Sequence, residues 1–117
     1  MHELAVTENI LEIATRHAHL AGAGRIANIY LVIGQLSSIV DDSIQFYWDI
    51  IAKDTVAEGA CLNFRRIPAE LACLDCGKQF SINGEDYFCP DCHGIHVKIV
   101  SGEEFYLEAI EVEKEDG

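Results

Sequence analysis

Two short stretches carry residues whose types and spacing can do chemistry: CLDC, Cys73 to Cys76, and CPDC, Cys89 to Cys92. Together they read C-x2-C-x12-C-x2-C. Each pair can sit on a tight turn that aims two sulfurs at one point. A hairpin between the pairs brings the two points together as a tetrahedron. Zinc favours four thiolates in that geometry and makes no redox demand on the protein. Ordering this segment costs on the order of 1–2 kcal/mol per residue. Only Leu74, Phe80, Ile82, Tyr87 and Phe88 are apolar enough to offset that, whereas structural zinc supplies roughly 10–16 kcal/mol.

Zinc at Cys73, Cys76, Cys89 and Cys92 is therefore the leading reading, and other readings stay open. Rubredoxin-like iron uses similar spacing. A thioredoxin-type redox pair would need a strand-to-helix junction that neither pair has. CPDCH also matches the C-x-x-C-H haem attachment pattern, which needs export. A four-thiolate zinc is coordinatively closed and leaves no position for a reacting water. Ser37, Ser38, Asp41 and Asp42 make better helix-cap residues than catalytic ones, so no enzyme activity is expected. A zinc-ribbon adaptor that transports no metal is a further reading from another class.

The second constellation is the opening, Met1, His2 and Glu3. The bland reading is an exposed histidine at a frayed end. The chemistry allows more. Initiator methionine is normally trimmed only before a small residue, so the free amine should belong to Met1. That amine, the backbone nitrogen of His2 and its imidazole lie in series and close adjacent chelate rings when the amide deprotonates. Three nitrogens in a plane suit Ni(II) or Cu(II). Glu3 adds a possible oxygen donor and offsets the positive end of a helix.

The elements that must position these groups follow from periodicity. Residues 3–20 read as an amphipathic helix, with Leu4, Leu11, Ala14 and Ala18 at helical spacing and Ile10 and Ile13 widening the stripe. The AGAG segment, Ala21 to Gly24, ends it. RIANIYLVIGQL then predicts a central strand rich in β-branched residues. Asp42 and Gln45 resemble a capping box for a second helix. Its apolar face is Ile44, Tyr47, Trp48 and Ile51, and Gly59 is its expected stop. Cys61 to Ile67 predicts a second strand ending at Pro68. Glu103 to Glu113 predicts a third, with Phe105, Leu107 and Ala109 on one face and Tyr106, Ile110 and Val112 on the other.

The fold expected is α+β: a three-stranded mixed sheet with two helices on one face, plus an inserted zinc-ribbon module. Residues 1–70 and 97–117 form the α/β domain and 71–96 the ribbon. Cys61 is expected to be a buried small hydrophobe, and His17 and His19 to be solvated. His93 and His96 flank the cysteines and are candidates for a further nickel donor or for outer-shell groups.

Of the 117 residues, twenty are acidic and eight are Lys or Arg, a formal charge of −12. Such a surface repels phosphate backbones, which argues against nucleic acid. No window reaches the roughly 18 apolar residues of a membrane span, and the start does not read as a signal peptide. A cytoplasmic protein is expected, in which five cysteines, an odd number, point to metal rather than disulfides.

The opening MHEL, the helix–strand–helix–strand order, the two C-x2-C pairs and the ending EFYLEAIEVE together resemble the nickel metallochaperones of [NiFe]-hydrogenase maturation, over essentially the whole chain. The resemblance implies Ni(II) bound at Met1, His2 and Glu3 and zinc at Cys73, Cys76, Cys89 and Cys92. It also implies work with an accessory GTPase to load the hydrogenase large-subunit precursor, with urease a further possible recipient. A monomer or weak homodimer is expected.

Overall fold

The structure is a computed structural model and describes residues 3–82 and 88–114. The chain divides into two compact units: Met1–Val32, Ser38–Arg65 and Tyr106–Gly117 form one, Ile33–Ser37 and Arg66–Phe105 the other. The second extends beyond 71–96 on both sides.

In the first unit α1 (Glu3–Leu20) buries Thr7, Ile10, Ala14 and Ala18. This stripe differs from the expected one at its start: Leu4 is exposed and Thr7 takes the inward position. A buried hydroxyl needs a partner, and Thr7 Oγ1 donates to the carbonyl of Glu3 one turn back. Gly22, at φ +67°, turns the chain out of the helix. β1 (Ala23–Gly34) follows.

β1 is central, as expected, in a three-stranded mixed sheet of order β2-β1-β6, with β2 at Cys61–Ile67 and β6 at Phe105–Lys114. Ile26, Ile29 and Leu31 of β1 are completely buried. α2 (Asp41–Ile51) packs on α1 and buries Ile44 and Trp48. The capping box does not form. The helix starts one residue before Asp42, at a Val40 cap in extended conformation. Gln45 Nε2 instead donates to Asp49 Oδ1 at 2.9 Å, one turn ahead. Nor does Gly59 stop the helix, which ends at Ile51 with Ala52 as its C-cap. The stretch 52–60 is a run of turns, with Thr55 N donating to Ala52 O, Glu58 N to Thr55 O and Ala60 N to Ala57 O.

β6 corrects a second expectation. Its burial alternates as far as Leu107, slips at Glu108 and Ala109, both exposed, and resumes at Ile110 and Val112. Burial thus changes phase between Glu108 and Ala109. The slip puts Phe105, Leu107, Ile110 and Val112 on one face and the glutamates on the other. On that open face Arg65 Nη2 lies 2.7 Å from Glu108 Oε2, Arg25 Nη1 lies 2.8 Å from Glu113 Oε1, and Asn28 Nδ2 donates to Glu111 Oε1 at 2.8 Å. β1 makes a matching slip: Ile26 and Ile29, three apart, are both buried. Cys61 is exposed rather than buried.

The second unit holds strands that periodicity did not reveal: β3 (Glu70–Cys73), β4 (Gln79–Ser81) and β5 (Val97–Ser101), in the order β4-β3-β5. β3 pairs antiparallel with both neighbours. Glu70 lies opposite Ser101, and Ser101 Oγ donates to Pro68 O at 3.1 Å, so the segment closes on itself. Nearby, Gly34 N donates to Glu104 O at 2.7 Å and Gln35 N to Ile67 O at 2.8 Å. Gly34 is required there: a Cβ would sit 2.0 Å from Gly102 O.

Candidate metal centre

Cys73 is the last residue of β3, and Cys76 sits in the turn that follows. Cys73 N donates to Lys78 O at 2.8 Å, and Gly77 N donates back to Cys73 O at 2.9 Å. The second pair repeats this pattern. Cys89 N donates to Gly94 O at 2.9 Å, and His93 N donates to Cys89 O at 2.9 Å. The two turns are thus the same knuckle used twice. Both need a left-handed residue at the position after the second cysteine. The first supplies Gly77 at φ 80°, the second His93 at φ 62°.

The two knuckles face each other. Sγ of Cys73 is 3.6 Å from that of Cys92, and Sγ of Cys76 is 3.5 Å from that of Cys89. All four sulfurs lie within 4.8 Å of one another. A tetrahedral ion with ~2.3 Å metal–sulfur bonds needs sulfurs about 3.8 Å apart. The donor set and its spacing therefore fit zinc. Cys73 and Cys89 are buried, Cys76 and Cys92 exposed.

The four thiols are also electrostatically linked. The backbone amide of Cys92 leads the effects that lower the Cys89 thiol to about 7, with the amide of Asp91 adding to it and burial opposing. At Cys76 the Lys78 amide also favours the thiolate. The hydrogen bond with Cys89, burial and the remaining sulfurs outweigh it and push the thiol up to about 12. Cys92 is raised as well: the Gly94 amide favours its thiolate, but the hydrogen bond with Cys73 and burial prevail. Ionising one thiol makes the next harder to ionise. A divalent cation among them reverses that relation.

Around the quartet, His96 Nδ1 lies 3.2 Å from Asp75 Oδ2. The His93 ring lies 6.0 Å from that of Phe88, centroid to centroid. His17 and His19, in the other unit, are exposed. Of the residues expected to hold nickel, Glu3 opens α1. Met1 and His2 lie outside the described residues. The Asp75–His96 pair was not foreseen. It arises from the pairing of Cys73 with Val97, which continues as Leu74 N donating to His96 O at 2.7 Å and so brings His96 next to Asp75.

A two-helix, three-stranded α+β unit and a four-cysteine ribbon define a small α+β protein with a site fit for a metal ion. A family model described as hydrogenase/urease nickel incorporation, metallochaperone, hypA, matches residues 1–112. The chain belongs to the HypA family, whose members are maturation factors and not catalysts. It is 43% identical over 115 residues to the hydrogenase maturation factor HypA of Dehalococcoides mccartyi strain 195, covering 98% of this chain and 97% of that one. It is 40% identical over 114 residues to the HypA of Caldanaerobacter subterraneus, covering 97% and 100%. Among solved structures, the solution structure of the Ni metallochaperone HypA from Helicobacter pylori superposes with a TM-score of 0.67 at 26% identity, covering 98% of this chain and 100% of that one. No helix among the described residues is long and apolar enough to cross a membrane.

Proposed function

We propose that this chain captures Ni(II) through the Met1 amine, the His2 backbone nitrogen and the His2 imidazole, with Glu3 as an oxygen donor, and releases it to a nickel enzyme under assembly. The observation that carries the reading is the family match from residue 1, read with the run of nitrogen donors at Met1 and His2. The recipient is the large-subunit precursor of a [NiFe] hydrogenase, with urease as a second recipient, and an accessory GTPase takes part in the transfer. The setting is the cytoplasm, and the protein acts as a monomer or weak homodimer.

Zinc is the resident metal. Cys73, Cys76, Cys89 and Cys92 hold it, and it fixes the fold of the ribbon at 71–96. Its four thiolates leave no open position, so the cargo metal is held elsewhere. His2 and the amine of Met1 must both lose protons to bind nickel. Their ordinary pKa values are about 6.5 and 7.7–8.0, so affinity falls steeply as pH drops through that window.

Calorimetric nickel titration tests this with three zinc-loaded proteins: the native chain, a chain with one residue added before Met1, and His2→Ala. The extension turns the amine into a neutral amide, and His2→Ala removes the imidazole. Both variants are expected to lose high-affinity nickel binding and keep their zinc and their far-ultraviolet circular dichroism. Equal nickel affinity in all three would overturn the N-terminal site. Metal analysis of the purified native chain separates zinc from iron at the cysteines.

A further inference from the structure

Each knuckle carries one buried cysteine and one exposed one: Cys73 and Cys89 are buried, Cys76 and Cys92 exposed. Each exposed cysteine meets a buried one of the other knuckle. Cys92 Sγ lies 3.6 Å from Cys73 Sγ, and Cys76 Sγ lies 3.5 Å from Cys89 Sγ. Redox-sensitive cysteines are accessible and often poised next to a resolving cysteine. The buried member is shielded from an oxidant in solution but is close enough to trap the sulfur that has reacted. A disulfide needs sulfurs about 2.05 Å apart, so closure asks for a movement of about 1.5 Å.

Gly94 singles out one of the two exposed cysteines. A Cβ there would lie 3.3 Å from Cys92 Sγ and 3.0 Å from Asp75 Oδ2. Gly94 is not one of the left-handed glycines, so its backbone conformation does not call for glycine. Its carbonyl accepts a hydrogen bond from Cys89 N at 2.9 Å, which holds the residue against the knuckle. The absent side chain therefore leaves a narrow gap at the Cys92 sulfur, and a larger residue would partly fill it. Size and charge select the reactant. The gap suits a very small molecule, and a chain of charge −12 disfavours anions. Hydrogen peroxide meets both demands.

We propose that Cys92 is a peroxide-reactive sulfur and Cys73 its resolving partner, so that oxidation opens the metal centre and leaves a disulfide across the knuckles. The Cys92 thiolate attacks one oxygen of hydrogen peroxide, the O–O bond breaks, and the other oxygen leaves as hydroxide. Cys92 is then a sulfenic acid. The Cys73 thiolate attacks the Cys92 sulfur, the S–O bond breaks, and a second hydroxide leaves. In sum two thiolates are oxidised to one disulfide and one peroxide is reduced, with two protons from solvent turning the hydroxides into water. Only Cys76 and Cys89 then remain as thiolates, too few to close a tetrahedral site, and zinc is lost. The inference rests on zinc at the four cysteines and not on the nickel site.

The test uses the zinc-loaded full chain, prepared with reductant and then freed of it. Elemental analysis before oxidation exposes a failure of the zinc reading at that step, apart from any failure of this one. Hydrogen peroxide is then added in less than the amount that would oxidise all four cysteines. Zinc release is followed with a chromogenic chelator, and the disulfide is mapped by tandem mass spectrometry after the remaining thiols are alkylated. The first disulfide is expected to be Cys73–Cys92, formed in step with zinc release and reversed by dithiothreitol. Gly94→Ala is expected to keep its zinc and circular dichroism and to release zinc at least about threefold more slowly under peroxide, because access governs such rates. A first disulfide of any other pairing would overturn the proposal. So would zinc release at the native rate in Gly94→Ala, or zinc kept with no disulfide in the native chain. Mapping on the native chain decides the matter even if Gly94→Ala does not hold its zinc.

Discussion

Tyr30 of β1 donates its phenolic hydrogen to Oε1 of Glu111 in β6 at 2.6 Å, and Asn28 Nδ2 donates to the same oxygen at 2.8 Å. Both donors lie on the face of β1 opposite Ile29. The change of burial phase at Glu108 and Ala109 leaves Glu111 on that face, where these two hydrogen bonds hold it.

The phenol should report this contact. The hydrogen bond to Glu111, followed by burial and the charges of Glu111 and Cys61, raises Tyr30 above its ordinary value of 10.0. A folded-state value above the unfolded one means that folding favours the protonated phenol. The stabilisation is therefore fully present below about pH 10 and is lost as pH rises through the folded value. In Glu111→Gln the titration of Tyr30 should move down, back towards 10.0. Phenolate absorbance, with Tyr30→Phe subtracted to isolate the one residue, measures it. An unchanged titration would refute the role given to Glu111.

Gly34→Ala should be among the most damaging single changes in the chain. The new methyl would lie 2.0 Å from Gly102 O and 2.7 Å from Glu103 N, both backbone atoms that no rotamer change can move. Overpacking usually costs about 1–3 kcal/mol, and this site belongs at or above the top of that range. Gly22→Ala is the contrast. Gly22 has φ +67° but nothing within 4 Å of a Cβ, so only backbone strain of about 1–2 kcal/mol applies. Urea unfolding of both variants measures the gap.

The second knuckle carries a built-in comparison. His93 occupies at φ 62° the position that Gly77 fills in the first. His93→Gly removes left-handed strain of about 1–2 kcal/mol but loosens the unfolded chain by roughly 0.5–1 kcal/mol. Stability should therefore rise by no more than about 1.5 kcal/mol. His93→Val places a β-branched side chain where it is strongly disfavoured and should be clearly less stable than either. Denaturation of the zinc-loaded proteins gives the ranking. Valine equal to glycine would mean that the backbone there is not held left-handed.

Cys76→Ala should abolish stoichiometric zinc, because three thiolates cannot close the tetrahedron. Helical circular dichroism should persist, since α1 and α2 draw their buried residues from the other unit. Zinc content by elemental analysis, with full stoichiometry as the contrary result, decides it.

The sequence made these elements legible to different degrees, for physical reasons. α1, α2 and β1 are long enough for periodicity to show, and β1 is buried enough that its apolar residues run nearly unbroken. The cysteine spacing was informative because tetrahedral coordination allows few arrangements. β3, β4 and β5 were not legible. ELAC, QFS and VKIVS are too short to show alternation, and their register depends on the turn geometry of the knuckles. The faces of β6 were misassigned because strict period-2 alternation was assumed, whereas burial changes phase at Glu108 and Ala109. The capping box failed because Asp42 falls inside the first turn, with Val40 as the cap. Thr7 replaced Leu4 in the buried stripe because its hydroxyl has a carbonyl one turn back.

The closed end of the ribbon, where Glu70 lies opposite Ser101, also bears on how quickly the protein folds. β2 and β6 flank the same central strand but are far apart in sequence, so the sheet has high contact order and waits on a long loop to close. Without zinc to join the two knuckles, the closure entropy of that connection must be met before β6 can dock. Once the knuckles hold a metal, Glu70 and Ser101 are already neighbours, and the search is reduced to a short one. Zinc should then speed the folding of strands it never touches, raising the refolding rate of the β2-β1-β6 sheet more than it lowers its unfolding rate.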